Sequence, residues 1–430
     1  MFTPSTPAAD LLTHADRVFK QLSPLVFKIK TAIDSDSPKA AYGSGFVVNK
    51  EGWLLTNYHV ISSALQEPKK YKIYLVDSIE SIPAEAVAVS VVHDLALVKV
   101  PRQFAQALRF ATQPPTQGEK IYSIGIPKDL NLSIVEGTYN GTVNYGPYEN
   151  IHMSSPINGG MSGGPTVNAR GEIVGVNVAI LIGSQNISFS VPARFGAELI
   201  RDARATQAVA LTTEKLHQVI RGQLEGVQAQ ILKDLIRDDR KAPTLVNTLP
   251  GWQVPRMSNG YKCWSSNKDD ERRRFESVSY ACFLDQGAFL RDDVYSGSIE
   301  FVYETVKNRK LNPWQFANLM NDWYNGGSGS RNLYLSRSES SDFLTSYDCA
   351  ERIVVNSQGM AFKFNYCLRA YLKYEGLLNA EYKFAALGTA KGSSLPNETL
   401  LGRTHVQGVT LANLKRIIAW QLDNIRRVDP

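Results

Sequence analysis

The sequence lacks the features that would send a protein to a membrane, a metal or a nucleic acid. No run of roughly eighteen apolar residues occurs, so no membrane-spanning helix is expected. The opening MFTPSTPAAD has neither the basic stretch nor the apolar core of a secretory signal; an export signal, if there ever was one, has been removed. There is no HExxH and no close Cys/His cluster, so no metal site is expected, and nothing in the chain calls for a cofactor. Lys and Arg outnumber Asp and Glu by 47 to 41, but the first 200 residues are balanced and the excess is spread through the rest rather than gathered in blocks. That describes a solvated surface, not a nucleic-acid groove. Cysteine is scarce: four in 430 residues, all beyond residue 255.

What is present is a globular chain, 43% hydrophobic, long enough for about two or three domains. Up to residue 200 it reads as short strands separated by turn residues at intervals of about ten: VFKIKTA, SGFVVN, WLLTN, KIYLV, EAVAVSV, LALVKV, KIYSIGI, VEGTYNGTVN, IHMSS, EIVGVNVAI and ISFSVP. Helical periodicity occurs only at the margins, in AADLLTHADRVFKQL and RFGAELIRDA. Residues 1–205 are therefore read as one all-β domain, a sandwich or barrel.

Within it SPINGGMSGGPTVN sets Ser162 among four glycines. Glycine costs conformational entropy, so such density marks a tight turn or a backbone that must approach something closely. A histidine, His59, follows the apolar strand of GSGFVVNKEGWLLTNYHVIS, and Asp94 precedes the strand of VVHDLALVKV. Taken in order, His, Asp and Ser are the three groups of a nucleophilic triad. His93, next to Asp94 on what reads as a strand, would face the other way and is read as structural.

TNYHVIS, HDLALVKV and NGGMSGGP resemble the catalytic motifs of chymotrypsin-fold serine peptidases, closest to the bacterial HtrA/Deg branch, over about residues 20–200. The resemblance implies a double β-barrel with the site in its cleft, His59 as base, Asp94 as its orienting acid and Ser162 as nucleophile. By the family pattern the amides of Gly160 and Ser162 form the oxyanion hole, which gives the bare backbone its reason. Met161 stands where digestive trypsins carry an aspartate that pairs with a new N-terminus, so activation by such insertion is not expected. Pro156 and Ile157 stand in the region of the acidic specificity residue of trypsins; a pocket of Ile157, Ser188, Phe189 and Ser190 would favour aliphatic P1 side chains over Lys or Arg. The partner implied is a protein or peptide substrate. The alternative is a binding or chaperone-like protein that keeps the fold as a scaffold.

Beyond it, TTEKLHQVIRGQLEGVQAQILKDLIRDDRK carries Leu216, Ile220, Leu224, Val227, Ile231 and Leu235 at helical spacing, with Thr212 or Thr213 as N-cap. Together with a turn-rich stretch, KAPTLVNTLPGWQVP, this makes 206–250 a helix and linker. No PDZ module follows. Residues 251–430 form an α+β accessory domain with a faint repeat: Cys263 and Cys282, then Cys349 and Cys367, each pair flanking turn-forming residues and each followed by a Tyr-x-Gly turn. Strand, turn and strand bring cysteines of such spacing within bonding distance, so the expected disulfides are Cys263–Cys282 and Cys349–Cys367. Oxidised cysteines place the protein in the periplasm or outside the cell; free thiols would fit the cytoplasm. Trp264, Trp314, Trp323 and Tyr324 are read as core aromatics, with a peptide- or sugar-binding surface as the alternative. A closing helix has Leu411, Leu414, Ile418, Leu422 and Ile425 along one face.

Overall fold

A computed structural model describes residues 13–77, 80–128, 130–144, 148–180, 187–236, 243–257, 260–268, 274–284, 287–291, 294–325, 343–389 and 397–428. The chain divides into two compact units, Met1–Val219 and Ile220–Pro430.

The first unit opens with helix α1 (His14–Leu22), whose Thr13 hydroxyl takes the Asp16 amide at 3.2 Å while Asp16 reaches back to the Thr13 amide at 3.0 Å, a reciprocal capping box. Strands β1 (Val26–Ala32), β2 (Ala40–Val47), β3 (Trp53–Thr56), β4 (Lys72–Val76), β5 (Ser81–Ser90) and β6 (Leu95–Lys99) close into a barrel in the order β1-β2-β3-β6-β5-β4. A second barrel, β10-β11-β12-β9-β8-β7, is built from β7 (Lys120–Gly125), β8 (Ser133–Asn144), β9 (Glu149–Met153), β10 (Pro165–Asn168), β11 (Ile173–Ile180) and β12 (Ser188–Pro192). This is the double barrel implied by the motifs. Alternate strand residues fill the interiors: Phe46, Leu55, Leu75 and Leu97 in the first, Ile121, Ile151, Met153 and Val174 in the second.

Two elements escape the periodicity. Strand β10 follows the glycine-rich loop too closely to stand out as a separate apolar run. Helix α2 (Tyr58–Gln66) lies inside the β domain, where helical structure was not expected; its residues are nearly all buried, so the usual polar face is missing. Helix α3 (Ala193–Ala205) packs against strands of both barrels, β5 and β6 in the first and β11 and β12 in the second.

Helix α4 (Thr213–Leu235) has Thr212 as its cap, the Lys215 amide donating to the hydroxyl at 3.2 Å. Its stripe Leu216, Ile220, Leu224, Ile231 and Leu235 is buried, and Ile231, Leu232 and Leu235 join the core of the second unit. The expected linker is instead a hairpin, β13 (Leu245–Leu249) with β14 (Trp252–Pro255), joined on its far side by β24 (Arg426–Arg427). Its Gly and Pro residues supply a turn and a strand end, while Val246, Leu249, Trp252 and Val254 go into the core.

That core lies against an open seven-stranded antiparallel sheet made of β15 (Lys262–Lys268), β16 (Phe275–Phe283), β19 (Ile299–Asn308), β20 (Asp348–Val355), β21 (Met360–Ala370), β22 (Leu377–Thr389) and β23 (Glu398–Thr410), in the order β15-β16-β19-β23-β22-β21-β20. A small ribbon, β17 (Ala288–Arg291) with β18 (Val294–Ser296), stands apart. One sheet face presents Phe301, Tyr303, Phe362, Tyr382 and Phe384 to helix α6 (Leu411–Asp423) and the end of α4. On α6 the buried residues are Leu414, Ile417, Trp420 and Leu422, whereas Leu411 at the first turn is 47% exposed, a departure from the expected stripe. Helix α5 (Pro313–Asn325) packs Phe316 with Val306 and Leu401 in a smaller cluster.

Both expected disulfides form, Cys263–Cys282 and Cys349–Cys367, each between directly opposed residues of a hairpin with Cα atoms 4.1 Å apart. The repeat extends to the following turns, where Gly297 and Gly376 share a left-handed φ of 84°. The aromatic expectation needs correcting: Tyr324 is buried, but Trp264 is 49% and Trp314 74% exposed, Trp264 standing edge-on over Phe283 at 4.6 Å. The Trp323 side chain lies outside the described residues.

Candidate active site

Asp94 ends a tight turn, Val91–Asp94, immediately before β6, where the sequence placed it; His93 and Asp94 are thus neighbours in a turn and not on a strand, and the turn sets their opposite facing. Its φ of 51° is left-handed, a costly conformation for a residue with a Cβ, so neighbouring bonds must hold it. Its carbonyl accepts from the Asn57 side-chain amide at 2.8 Å and from the Tyr58 main-chain amide at 3.1 Å. Oδ1 accepts from the His59 main-chain amide at 2.9 Å, and Oδ2 lies 2.6 Å from His59 Nδ1. A carboxylate on Nδ1 fixes the tautomer, leaving Nε2 as the basic nitrogen. His59 sits in the first turn of α2, its side chain anchored through Nδ1 and about one-third exposed.

His93 faces away. Its ring stacks on Phe195 at 3.8 Å, meets Tyr148 edge-on at 4.9 Å and has Nδ1 2.9 Å from the Ser90 hydroxyl. Burial, then the nearby Arg194, push its pKa down to about 4. The Tyr148 phenol is pushed up, first by burial and then by the charge of Asp94.

Ser162 lies on the loop before β10, and that loop abuts the His59 segment. A Cβ on Gly163 would sit 3.0 Å from the Asn57 nitrogen and 2.2 Å from the Ser44 carbonyl oxygen; one on Gly43 would sit 2.5 Å from Val60 and 3.1 Å from the Ser162 carbonyl oxygen. Gly160 has φ 94°, and a Cβ there would strike the Ile126 carbonyl oxygen at 2.6 Å, so two conditions at once demand glycine. The Ser162 hydroxyl donates to the Val178 carbonyl at 3.2 Å. The pairing of β11 with β12 shifts register between Asn177 and Ala179, which sets Val178 outside the ladder.

The carbonyls of this loop are held one by one. The Gly159 carbonyl accepts from the Lys128 amide at 2.8 Å, and the Gly160 carbonyl from the Ser44 hydroxyl at 2.8 Å. The Met161 carbonyl accepts from the Gly164 amide at 3.1 Å and the Asn177 side chain at 3.3 Å, and the Ser162 carbonyl from the Ser44 amide at 2.7 Å. With these carbonyls held, the amides of Gly160 and Ser162 have no acceptor among the described residues.

The residues read as specificity walls are placed differently from one another. Ile157 is 4% exposed and packs with Tyr139, Met153 and Met161 inside the second barrel. Ser188 and Ser190 also point inward, Ser190 Oγ lying 2.7 Å from Thr166 Oγ1, while Phe189 faces the other side near His152. None carries a charge, and no group of three or more His, Cys, Asp or Glu suited to a metal occurs among the described residues. The sequence reading did not single out Ser44, Asn57 or Tyr148. Ser44 and Asn57 had a signal, as polar residues inside apolar motifs that turn out fully buried; Tyr148, next after a Gly-Pro pair in the sequence, had none.

Residues 43–176 match the family described as a trypsin-like peptidase domain. A probable periplasmic serine endoprotease, DegP-like, of Chlamydia pneumoniae is 28% identical over 217 residues, 47% of this chain and 43% of that protein. Its counterpart in Bartonella henselae is 33% identical over 207 residues, 46% of this chain and 38% of that protein. The crystal structure of a serine endoprotease from Yersinia pestis aligns with a TM-score of 0.40 at 23% identity, covering 48% of this chain and 70% of that one. The chain thus spans less than half the length of these curated relatives. Its N-terminal unit has the double barrel of the chymotrypsin fold and is similar to trypsin-like peptidase domains and to serine endoproteases of the DegP type.

Proposed function

We propose that the protein is a serine endopeptidase in which His59, Asp94 and Ser162 act as a triad and the amides of Gly160 and Ser162 bind the oxyanion. The observation that carries this reading is the pair of unspent amides beside Ser162, on a loop packed against the segment where Asp94 holds His59 by Nδ1. A scaffold retained only for binding has no use for two unsatisfied donors on a glycine loop.

The Ser162 hydroxyl turns from Val178 toward His59 Nε2, gives up its proton there and attacks the scissile carbonyl carbon. The former carbonyl oxygen takes the negative charge against the two amides. His59 then returns the proton to the leaving nitrogen as the C–N bond breaks, leaving an acyl ester on Ser162. Water, deprotonated by the same imidazole, releases the acid and restores the hydroxyl. Asp94 stays ionised and stabilises the imidazolium.

Ile157, Ser188 and Ser190 turn into the barrel and none of them, nor Phe189, is charged, so this region offers a Lys or Arg side chain no counter-charge, which supports a preference for aliphatic P1 residues. The disulfides and the periplasmic names of the relatives support an oxidising compartment, the periplasm or the exterior. Ser162→Ala should cut turnover of a peptide library by several orders of magnitude without unfolding the protein. The wild type should cleave after Val, Ala or Leu in preference to Arg or Lys. Full activity in a contaminant-free Ser162→Ala preparation would refute the triad, and a dominant basic P1 would refute the pocket.

A further inference from the structure

We infer that Ser44 is a positioning residue for the oxyanion hole, fixing from the first barrel the orientation of a loop that belongs to the second. The inference rests on the peptidase reading and adds to it a residue outside the triad and the donor pair. Ser44 is fully buried on β2, between two glycines. Its hydroxyl donates to the Gly160 carbonyl at 2.8 Å and accepts the Ile126 amide at 2.9 Å, so its rotor has a defined place. Its main-chain amide donates to the Ser162 carbonyl at 2.7 Å, and its own carbonyl takes the Thr56 hydroxyl at 2.7 Å, three residues before His59. One residue therefore holds the carbonyls of both residues whose amides face the oxyanion, and ties them to the strand that leads to the base.

The peptide joining Gly160 to Met161 lies between the two peptides that carry the donors. Glycine at 160 sets no side-chain barrier to rotation of that peptide, which two bonds hold: its Met161 amide donates to the Asn158 carbonyl at 3.0 Å, and its Gly160 carbonyl accepts the Ser44 hydroxyl, the bond that comes from the other barrel. The same hydroxyl satisfies the Ile126 amide, in a segment that reaches the Gly159 carbonyl through the Lys128 amide. Removing it frees a carbonyl, orphans an amide and loosens the donor geometry, while leaving Ser162, His59 and Asp94 in place. The loss falls on the charged tetrahedral state, because a neutral carbonyl in the ground state makes weaker demands on those donors.

The test is Ser44→Ala with the wild type beside it, read by kcat, KM, and affinity for a peptidyl boronic acid and for the matching product peptide. Deleting an oxyanion donor costs about 10²–10³ in kcat, so loss of its support should cost about 10- to 100-fold, with KM within about twofold. Boronic acid affinity should fall by the same factor as kcat, and product affinity should not change. Ser44→Cys, close in size and a weak donor, should fall between the two, and it decides the matter if the alanine variant is unstable. Unchanged kcat and boronic acid affinity in an active background would overturn the role of Ser44 and leave the peptidase standing. So would a loss shared equally by product binding. An inert wild type would overturn both.

Discussion

The two units meet one hazard, the free edges of β-sheets, in opposite ways. In the first, twelve strands close into two barrels, and no edge is left to pair with another chain. This unit has no cysteine. In the second, the sheet stays open and ends in β15 and β20, both largely exposed, with Ile353 62% and Val355 59% exposed on β20. All four cysteines lie in the two edge hairpins, one disulfide binding β15 to β16 and the other β20 to β21. Closure by hydrogen bonds serves one unit; a covalent cross-link at each edge serves the other. The same contrast places the chemistry, because closed barrels hold loops such as 158–164 between two rigid frames.

The sharpest way to break this contrast is reduction. Each disulfide closes a loop of 18 or 19 residues in sequence separation, for which chain entropy gives about 3 kcal/mol. Dithiothreitol should raise hydrogen exchange in β15, β16, β20 and β21, and Cys349→Ser with Cys367→Ser in β20 and β21 alone, both leaving the barrels and peptide hydrolysis untouched. Equal loosening of both units would show that the disulfides do not act locally.

A smaller effect tests whether the units share a weakness. His93 in the first unit and His405 in the second are both held neutral by burial and by nearby arginines, Arg194 for the one and Arg369 with Arg403 for the other, each with a pKa near 4. In the register of the sheet His405 stands between Glu300 and Glu381. An unfolded histidine titrates near about 6.5. As pH falls from 6.5 to 4 the unfolded chain takes up protons that the folded units refuse, so stability declines through that window and is flat in this contribution above it. Exchange protection measured from pH 7 to 4 should fall in both units. His93→Phe should flatten the fall in the first unit only, since phenylalanine keeps the stack on Phe195. An unaltered slope in that variant would remove His93 as the cause.

The first unit was the more legible in the sequence, and the reason is physical. Its strands are short, apolar and punctuated by turns, and the triad residues sit in motifs whose order carries the chemistry. Hidden from that reading were the relations between distant segments: Ser44 reaching Gly160, Asn57 holding the strained Asp94, Tyr148 arriving beside His93. Such bonds depend on how the barrels close, and no local periodicity encodes them. In the second unit the cysteine spacing predicted both pairings because a hairpin is itself local. The sheet order was not legible there, since β19 pairs with β23 across almost a hundred residues. The linker was misread for a similar reason: Gly and Pro report where a chain turns, not whether the strands on either side are buried.

The central claim is that Ser162 is an activated nucleophile, and the most direct test is labelling of the intact chain with a fluorophosphonate probe followed by peptide mass spectrometry. The account predicts one adduct per chain, on the peptide that contains Ser162, lost in Ser162→Ala and strongly slowed in His59→Ala. An unlabelled wild type, or an adduct that persists in Ser162→Ala, would contradict it.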